Sequence, residues 1–318
     1  MLYLKKIVFG YFVLIVGLLQ GAANSNQLQT YIGLSFQNQI KRGYVSAFAF
    51  HNHDPRFGNS NFHVHNNCNP FVKGKEVLQA LSFNADYVVN QKIAVAVSLP
   101  YSLKTQLFAD SVNLFRNGIG DVKLGFRYAL FESSPQKLFT KVKHQTILSI
   151  YVKFKTGKYN QTTTLNDIDP HLQNGLGSTN WQTSLQHFIN FNKWNLSGAV
   201  NYQLFTKNYF QFKKGNAFEA KIAGAYRFNI YDAIIFLPAL HLLYQNKKAD
   251  TMETRKILKP TSYQAFLLGA NAAFQYKKTI FNLSYSIPVY LSYDAVDLQC
   301  KAPEQHQNIK AEIKWLWD

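Results

Sequence analysis

The sequence predicts an all-β fold, an up-and-down transmembrane barrel of about twelve antiparallel strands (ten to fourteen), from three observations. The chain opens on a segment built for export. Its composition is rich in aromatics and poor in charge, yet holds no apolar run long enough for a membrane helix. Period-two alternation then recurs along the chain, with long and short connections taking turns.

Residues 1–23 read as a signal peptide. Lys5 and Lys6 form a basic start, Ile7 to Leu19 is almost wholly apolar, and Gly21-Ala22-Ala23 offers small residues for cleavage after Ala23. A single-span anchor is the alternative, but the apolar core is short for a bilayer. No cysteine follows it, which argues against lipoprotein processing.

Aromatic residues make up 15% of the chain and charged residues only 16%. The longest helix candidate, Ala233 to Tyr244, is short and contains Pro238 and His241. This balance suits a barrel with a lipid-facing outside, and would also suit a soluble sandwich. The formal charge of +17 falls by two, to +15, when Lys5 and Lys6 are removed. Export excludes nucleic acid as the partner. The charge fits anionic headgroups, including lipopolysaccharide, or a lumen that favours anions.

Alternation decides between barrel and sandwich. At the carboxyl end Ile309, Ala311, Ile313, Trp315 and Trp317 share one face, opposite Lys310, Glu312, Lys314 and Leu316. An apolar face that ends in aromatic rings fits a lipid-facing strand. Similar patterns predict strands near 43–50, 76–89, 92–104, 120–132, 144–155, 180–190, 193–205, 216–229, 232–245, 262–277, 279–291 and 307–317. Long connections at 51–75, 105–119, 156–179, 206–215, 246–261 and 292–306 alternate with shorter ones, as between outer loops and periplasmic turns. An even count puts both ends on the periplasmic side. Residues 24–42 are therefore expected to be a plug or lid, with 43–318 as the barrel; the alternative places 24–42 in the wall.

The loop 51–75 carries His51, His53, His63 and His65, in pairs that could present imidazoles to copper or zinc. The spacing is not that of a zinc finger. In a closed barrel this loop should adjoin 292–306, bringing Cys68 near Cys300. A disulfide across the seam is expected, with free thiols or metal thiolates as alternatives. No catalytic residue is assigned. His144, His187 and His241 lack a nucleophile signature, and Asp167, Asp169 and His171 read as turn residues beside Pro170.

On the alternation, Lys123, Arg127, Lys153, Lys155, Lys221, Arg227, Lys310 and Lys314 face the lumen with Glu219 and Glu312. This excess favours anionic or electron-rich solutes, unless the basic side chains pair with the acids and a plug.

Two stretches carry a resemblance. Gly118-Ile119-Gly120-Asp121-Val122-Lys123-Leu124-Gly125-Phe126-Arg127-Tyr128 resembles a strand start of outer-membrane proteins associated with the phenol meta-cleavage pathway. Phe154-Lys155-Thr156-Gly157-Lys158-Tyr159 and the later Leu172-Gln173-Asn174-Gly175-Leu176-Gly177-Ser178 resemble that family's strand end and loop exit. Their glycines suit close turns and bulges at the rim. The wider arrangement looks like transporter-annotated barrels of Bacteroidetes-type bacteria. The resemblance implies an outer-membrane channel for small hydrophobic or aromatic compounds.

The expected function is transfer of small solutes across the bacterial outer membrane, without cofactor or covalent chemistry. Outer-membrane lipid and the barrel-assembly machinery are the expected partners. Metal handling by loop 51–75 is the second reading, and a structural or adhesive barrel with a closed lumen the third.

Overall fold

The computed structural model describes residues 30–46, 50–51, 71–108, 113–133, 142–159, 167–168, 173–209, 211–231, 233–251, 257–258, 262–293 and 305–317. Its wall is a closed barrel of twelve antiparallel strands. They are β1 (Thr30–Ser46), β2 (Phe71–Asn90), β3 (Ile93–Phe108), β4 (Asn113–Ile119 and Lys123–Glu132), β5 (Val142–Lys153) and β6 (Asn180–Phe191). The second half holds β7 (Trp194–Phe205), β8 (Ala217–Tyr226 and Phe228–Tyr231), β9 (Ile234–Lys247), β10 (Tyr263–Tyr276), β11 (Thr279–Tyr293) and β12 (Gln305–Trp317). Each strand pairs with its neighbours in sequence, and β12 returns to β1 from Thr30↔Trp317 to Arg42↔Gln305. Closure leaves no unpaired edge, which a sheet in hydrocarbon requires.

Side chains alternate between two environments. On β7, Trp194, Leu196, Val200, Tyr202 and Leu204 are exposed on the outer face, while Phe205 is buried inside. Aromatic rings collect in two outer bands. One runs through Trp194–Tyr226, Tyr226–Phe228, Phe228–Phe236 and Phe236–Phe274, with centroids 4.5 to 6.1 Å apart. The other runs through Phe218–Tyr244, Tyr244–Phe266 and Phe266–Tyr290 at 4.9 to 6.3 Å. Eight residues separate the bands on each strand, as from Trp194 to Tyr202 and from Phe236 to Tyr244. At ~3.3 Å per residue and a tilt of ~40° that is about 20 Å, close to the height of an outer-membrane apolar band.

The plug expectation fails for residues 30–42. They lie in the wall, hydrogen-bonded to β12 on one side and β2 on the other. The lower part of β1 alternates normally: Phe36 is exposed outside, while Ser35 receives the Asn84 amide at 3.1 Å. Gln37 to Gly43 continue the same strand, 17 residues long, and their sequence is polar but for Ile40. Such a stretch carries no alternation to mark it as strand, so the twelve strands begin at Thr30 rather than at residue 43. For the same reason 105–119 is mostly strand, with only 109–112 between β3 and the start of β4.

Two inward rings are seated on glycine. A Cβ on Gly125 of β4 would fall 2.1 Å from the ring of Tyr151 on β5, and one on Gly269 would fall 2.3 Å from the ring of His241. Each missing side chain is replaced by an aromatic face from the paired strand.

Candidate functional site

The site grows from the interruption in β4. Gly120, Asp121 and Val122 leave the ladder, and Asp121 turns inward to become fully buried. Its Oδ1 accepts the Gly157 N–H at 3.0 Å and its Oδ2 the Leu176 N–H at 2.8 Å, with the Lys153 ammonium 3.5 Å away. One carboxylate thus ties both ends of the segment between β5 and β6 to the inner wall. The approach is close: a Cβ on Gly157 would lie 2.8 Å from Gly175 Cα, and one on Gly175 would lie 2.4 Å from the Gly157 carbonyl. No residue but glycine fits at either position.

The anchored segment reaches across to β3. Ser102 donates to Asn174 Oδ1 at 3.0 Å, Asn174 donates to the Asn117 carbonyl at 2.6 Å, and Lys104 donates to the carbonyl of Gln173. A second inward fold, 206–216 between β7 and β8, is sewn to the first. Asn208 donates to the Leu176 carbonyl at 3.2 Å and Thr206 Oγ1 to the Thr179 carbonyl at 2.6 Å. Its far end is held by Asp250, also fully buried, which accepts the Gly215 N–H at 2.6 Å and pairs with Lys247 at 2.9 Å.

These folds roof a cavity of about 300 Å³ in the half of the lumen nearer the long connections, lined by Lys123, Lys153 and Lys214 with Pro100, Tyr151, Leu176, Gln182 and Phe205. Lys123 donates to Gln182 at 3.2 Å and sits 5.0 Å over the Tyr151 ring. Lys214 sits 5.2 Å over Phe205. Lys214 lies on the loop, outside the spanning strands; burial, and then the Lys247 ammonium, lower its pKa to about 7 against the opposing pull of Asp250. A second cavity of about 500 Å³ lies toward the short turns, lined by Ser197, Ala199, Ala223, Ala225, Ala239 and Ala273 with Lys221 and Arg227. Small side chains on β7 to β10 leave that space open.

The sequence-predicted residues fall as follows. Lys123, Lys153, Lys221 and Arg227 line the two cavities. Arg127 is ion-paired to Asp86, and Lys314 to Glu312 at 3.4 Å. Lys310 interacts electrostatically with both Lys123 and Lys221, from the same side of the wall. Glu219 accepts from Asn201 at 3.0 Å and from Gln245 at 2.9 Å. Lys155 is a correction: β5 ends at Lys153, so Lys155 sits in an exposed turn. His53, His63, His65, Cys68 and Cys300 lie outside the described residues. His51 is described in backbone alone, paired with Asp167. The strands that carry the two cysteine loops are neighbours, β1 and β12.

Sequence reasoning missed Asp86, Asp121, Asp250, Lys104, Lys214 and Lys247. The Asp121 signal is present in the glycine-flanked motif that carries the resemblance, but the motif by itself gives the carboxylate no partner. His144 and His187 face outward, their rings 5.7 Å apart, and Thr146 Oγ1 lies 2.9 Å from His187 Nδ1. His241 points inward and is buried.

Solved structures share the fold. The COG4313 outer membrane channel from Pseudomonas putida superposes with a TM-score of 0.65 at 10% identity, over 94% of this chain and all of that one. The β domain of the Bordetella autotransporter BrkA gives 0.51 at 9% identity, over 91% of this chain and all of that one. No curated protein sequence matches. The family described as "Putative MetA-pathway of phenol degradation" matches residues 45–290, a span that holds both glycine-rich segments joined by Asp121, and the chain belongs to that family.

Proposed function

We propose that the protein is an outer-membrane diffusion channel for small solutes, with a preference for anions and no covalent chemistry. One observation carries this reading: among the described residues the inward carboxylates are already engaged, while cations line both cavities. Asp86, Asp121, Glu219, Asp250 and Glu312 each accept from, or pair with, a named partner. Lys123 and Lys214 are held by neutral groups, an amide and two aromatic faces. Charge on the inner face of a barrel sets which ions enter. The Pseudomonas putida structure is named as an outer membrane channel, and its likeness in fold is consistent with the same role here.

Export by the amino-terminal signal would deliver the chain to the periplasm for assembly. The test is conductance of the purified protein in planar bilayers under a potassium chloride gradient. The expected result is a steady current whose reversal potential lies toward that of chloride. Absence of any current at all would overturn the channel, and a potassium-selective current would overturn the anion preference.

A further inference from the structure

We propose that the roofed cavity is a binding site for a small carboxylate with a compact apolar body, held by Lys123, Lys153 and Lys214. The proposal rests on the channel reading for its physiological meaning, but the site is argued from its own geometry.

The three ammonium groups come from three separate elements, β4, β5 and the 206–216 loop, and meet on one cavity of about 300 Å³. That size is at the lower end of small-ligand pockets. The carboxylate lining the cavity is Asp121, and its oxygens are spent on the Gly157 and Leu176 N–H groups. It therefore offsets Lys153 in part and cannot turn to meet the other two. Lys123 and Lys214 are oriented by Tyr151 and Phe205, which hold a cation without neutralising it. Glu219 and Asp250, the carboxylates that act on these two lysines, are held by Asn201, Gln245, Gly215 and Lys247, so the positioned ammonium groups make an anion site.

The walls narrow the class of anion. Pro100, Leu176, Tyr151 and Phe205 present apolar surface beside the lysines, and Gln182 adds a side-chain amide. Inorganic phosphate would leave those apolar walls unused. A carboxylate takes one or two ammonium groups and leaves its body against the rings. Protonation reinforces the fit. Lys104, Lys153, Lys247 and Asp250 act on Lys214, and the three lysines together with burial bring its pKa to about 7. An entering carboxylate supplies the missing negative charge, so binding takes up a proton near neutrality.

Benzoate is the probe. Calorimetric titration of the detergent-solubilised full barrel, and block of chloride current by benzoate in planar bilayers, are compared for wild type, K123Q, K214Q and, on an exposed turn, K193Q. Heat-modifiable gel migration verifies that each variant is folded. Wild type and K193Q should bind alike, and K123Q and K214Q should each weaken binding at least about tenfold. Equal affinity in all four, no benzoate binding to wild type, or phosphate binding as tightly as benzoate would each overturn the site. Loss of all current with calorimetric binding intact would sink the channel and leave the carboxylate site standing.

Discussion

Asp121 and Asp250 are both buried without exposure to solvent, both stand near the same rim, and both hold an inward fold by its backbone N–H groups. Their reach differs. Asp121 binds Gly157 and Leu176, 36 and 55 residues further along the chain, and so fixes two points of one long segment. Asp250 binds Gly215, 35 residues back, and its cation Lys247 lies three residues away on β9. The first is a clasp that shapes the cavity; the second is a pin on the edge of its roof. Burying a carboxylate is costly, so each is kept where several donors converge on it.

The comparison can be broken by substitution. D121A should have the largest effect. The Gly157 and Leu176 N–H groups lose their acceptor, at about 1–3 kcal/mol each, and both ends of the segment come away from the wall. Denaturant unfolding in lipid should show the loss, and limited proteolysis should cut within that segment. D250A should cost about 1–3 kcal/mol through the Gly215 N–H, plus what Lys247 loses. Proteolysis should then favour 206–216 and spare 154–179. The same cleavage pattern in both variants would erase the distinction between clasp and pin.

A smaller effect concerns pH. Lys214 is charged below its pKa, so anion selectivity should be full at pH 6 and fall as pH rises through about 7. Reversal potentials from pH 6 to 8.5 test this, and K214M should flatten the profile. The smallest effect lies on the outer wall. His187 faces lipid with Thr146 as its partner, so T146V should cost roughly 1 kcal/mol, while T146V/H187L should be neutral or stabilising. A large loss in the double variant would mean that this face contacts something other than lipid.

The wall was far more legible in the sequence than the cavity. Lipid on one side and water on the other impose alternation, so Leu124, Phe126 and Tyr128 announce a strand wherever they fall. That signal is missing from Gln37 to Gly43, polar but for Ile40, and so a stretch of β1 reads as a plug. The cavity depends on separations no local pattern encodes. Asp121 is written beside its glycines, but its acceptors' partners, Gly157 and Leu176, enter only when the loop folds in. Lys214 looks like an ordinary loop lysine until the roof encloses it. Asp86 shares a strand face with Ser82, Asn84 and Asn90, and nothing local marks it as the partner of Arg127.

The seam between β1 and β12 also bears on how the barrel comes into being. Its first ladder joins residues from the two ends of the chain, Thr30 with Trp317, and every other wall pairing is between neighbours in sequence. Hairpins can zip as they emerge, but the seam carries the full loop-closure entropy of the chain and must come late. Until the last strand arrives, β1 offers an open edge to any strand nearby. The β1 edge therefore stays open until β12 reaches it, which makes sheltering that edge a task of assembly.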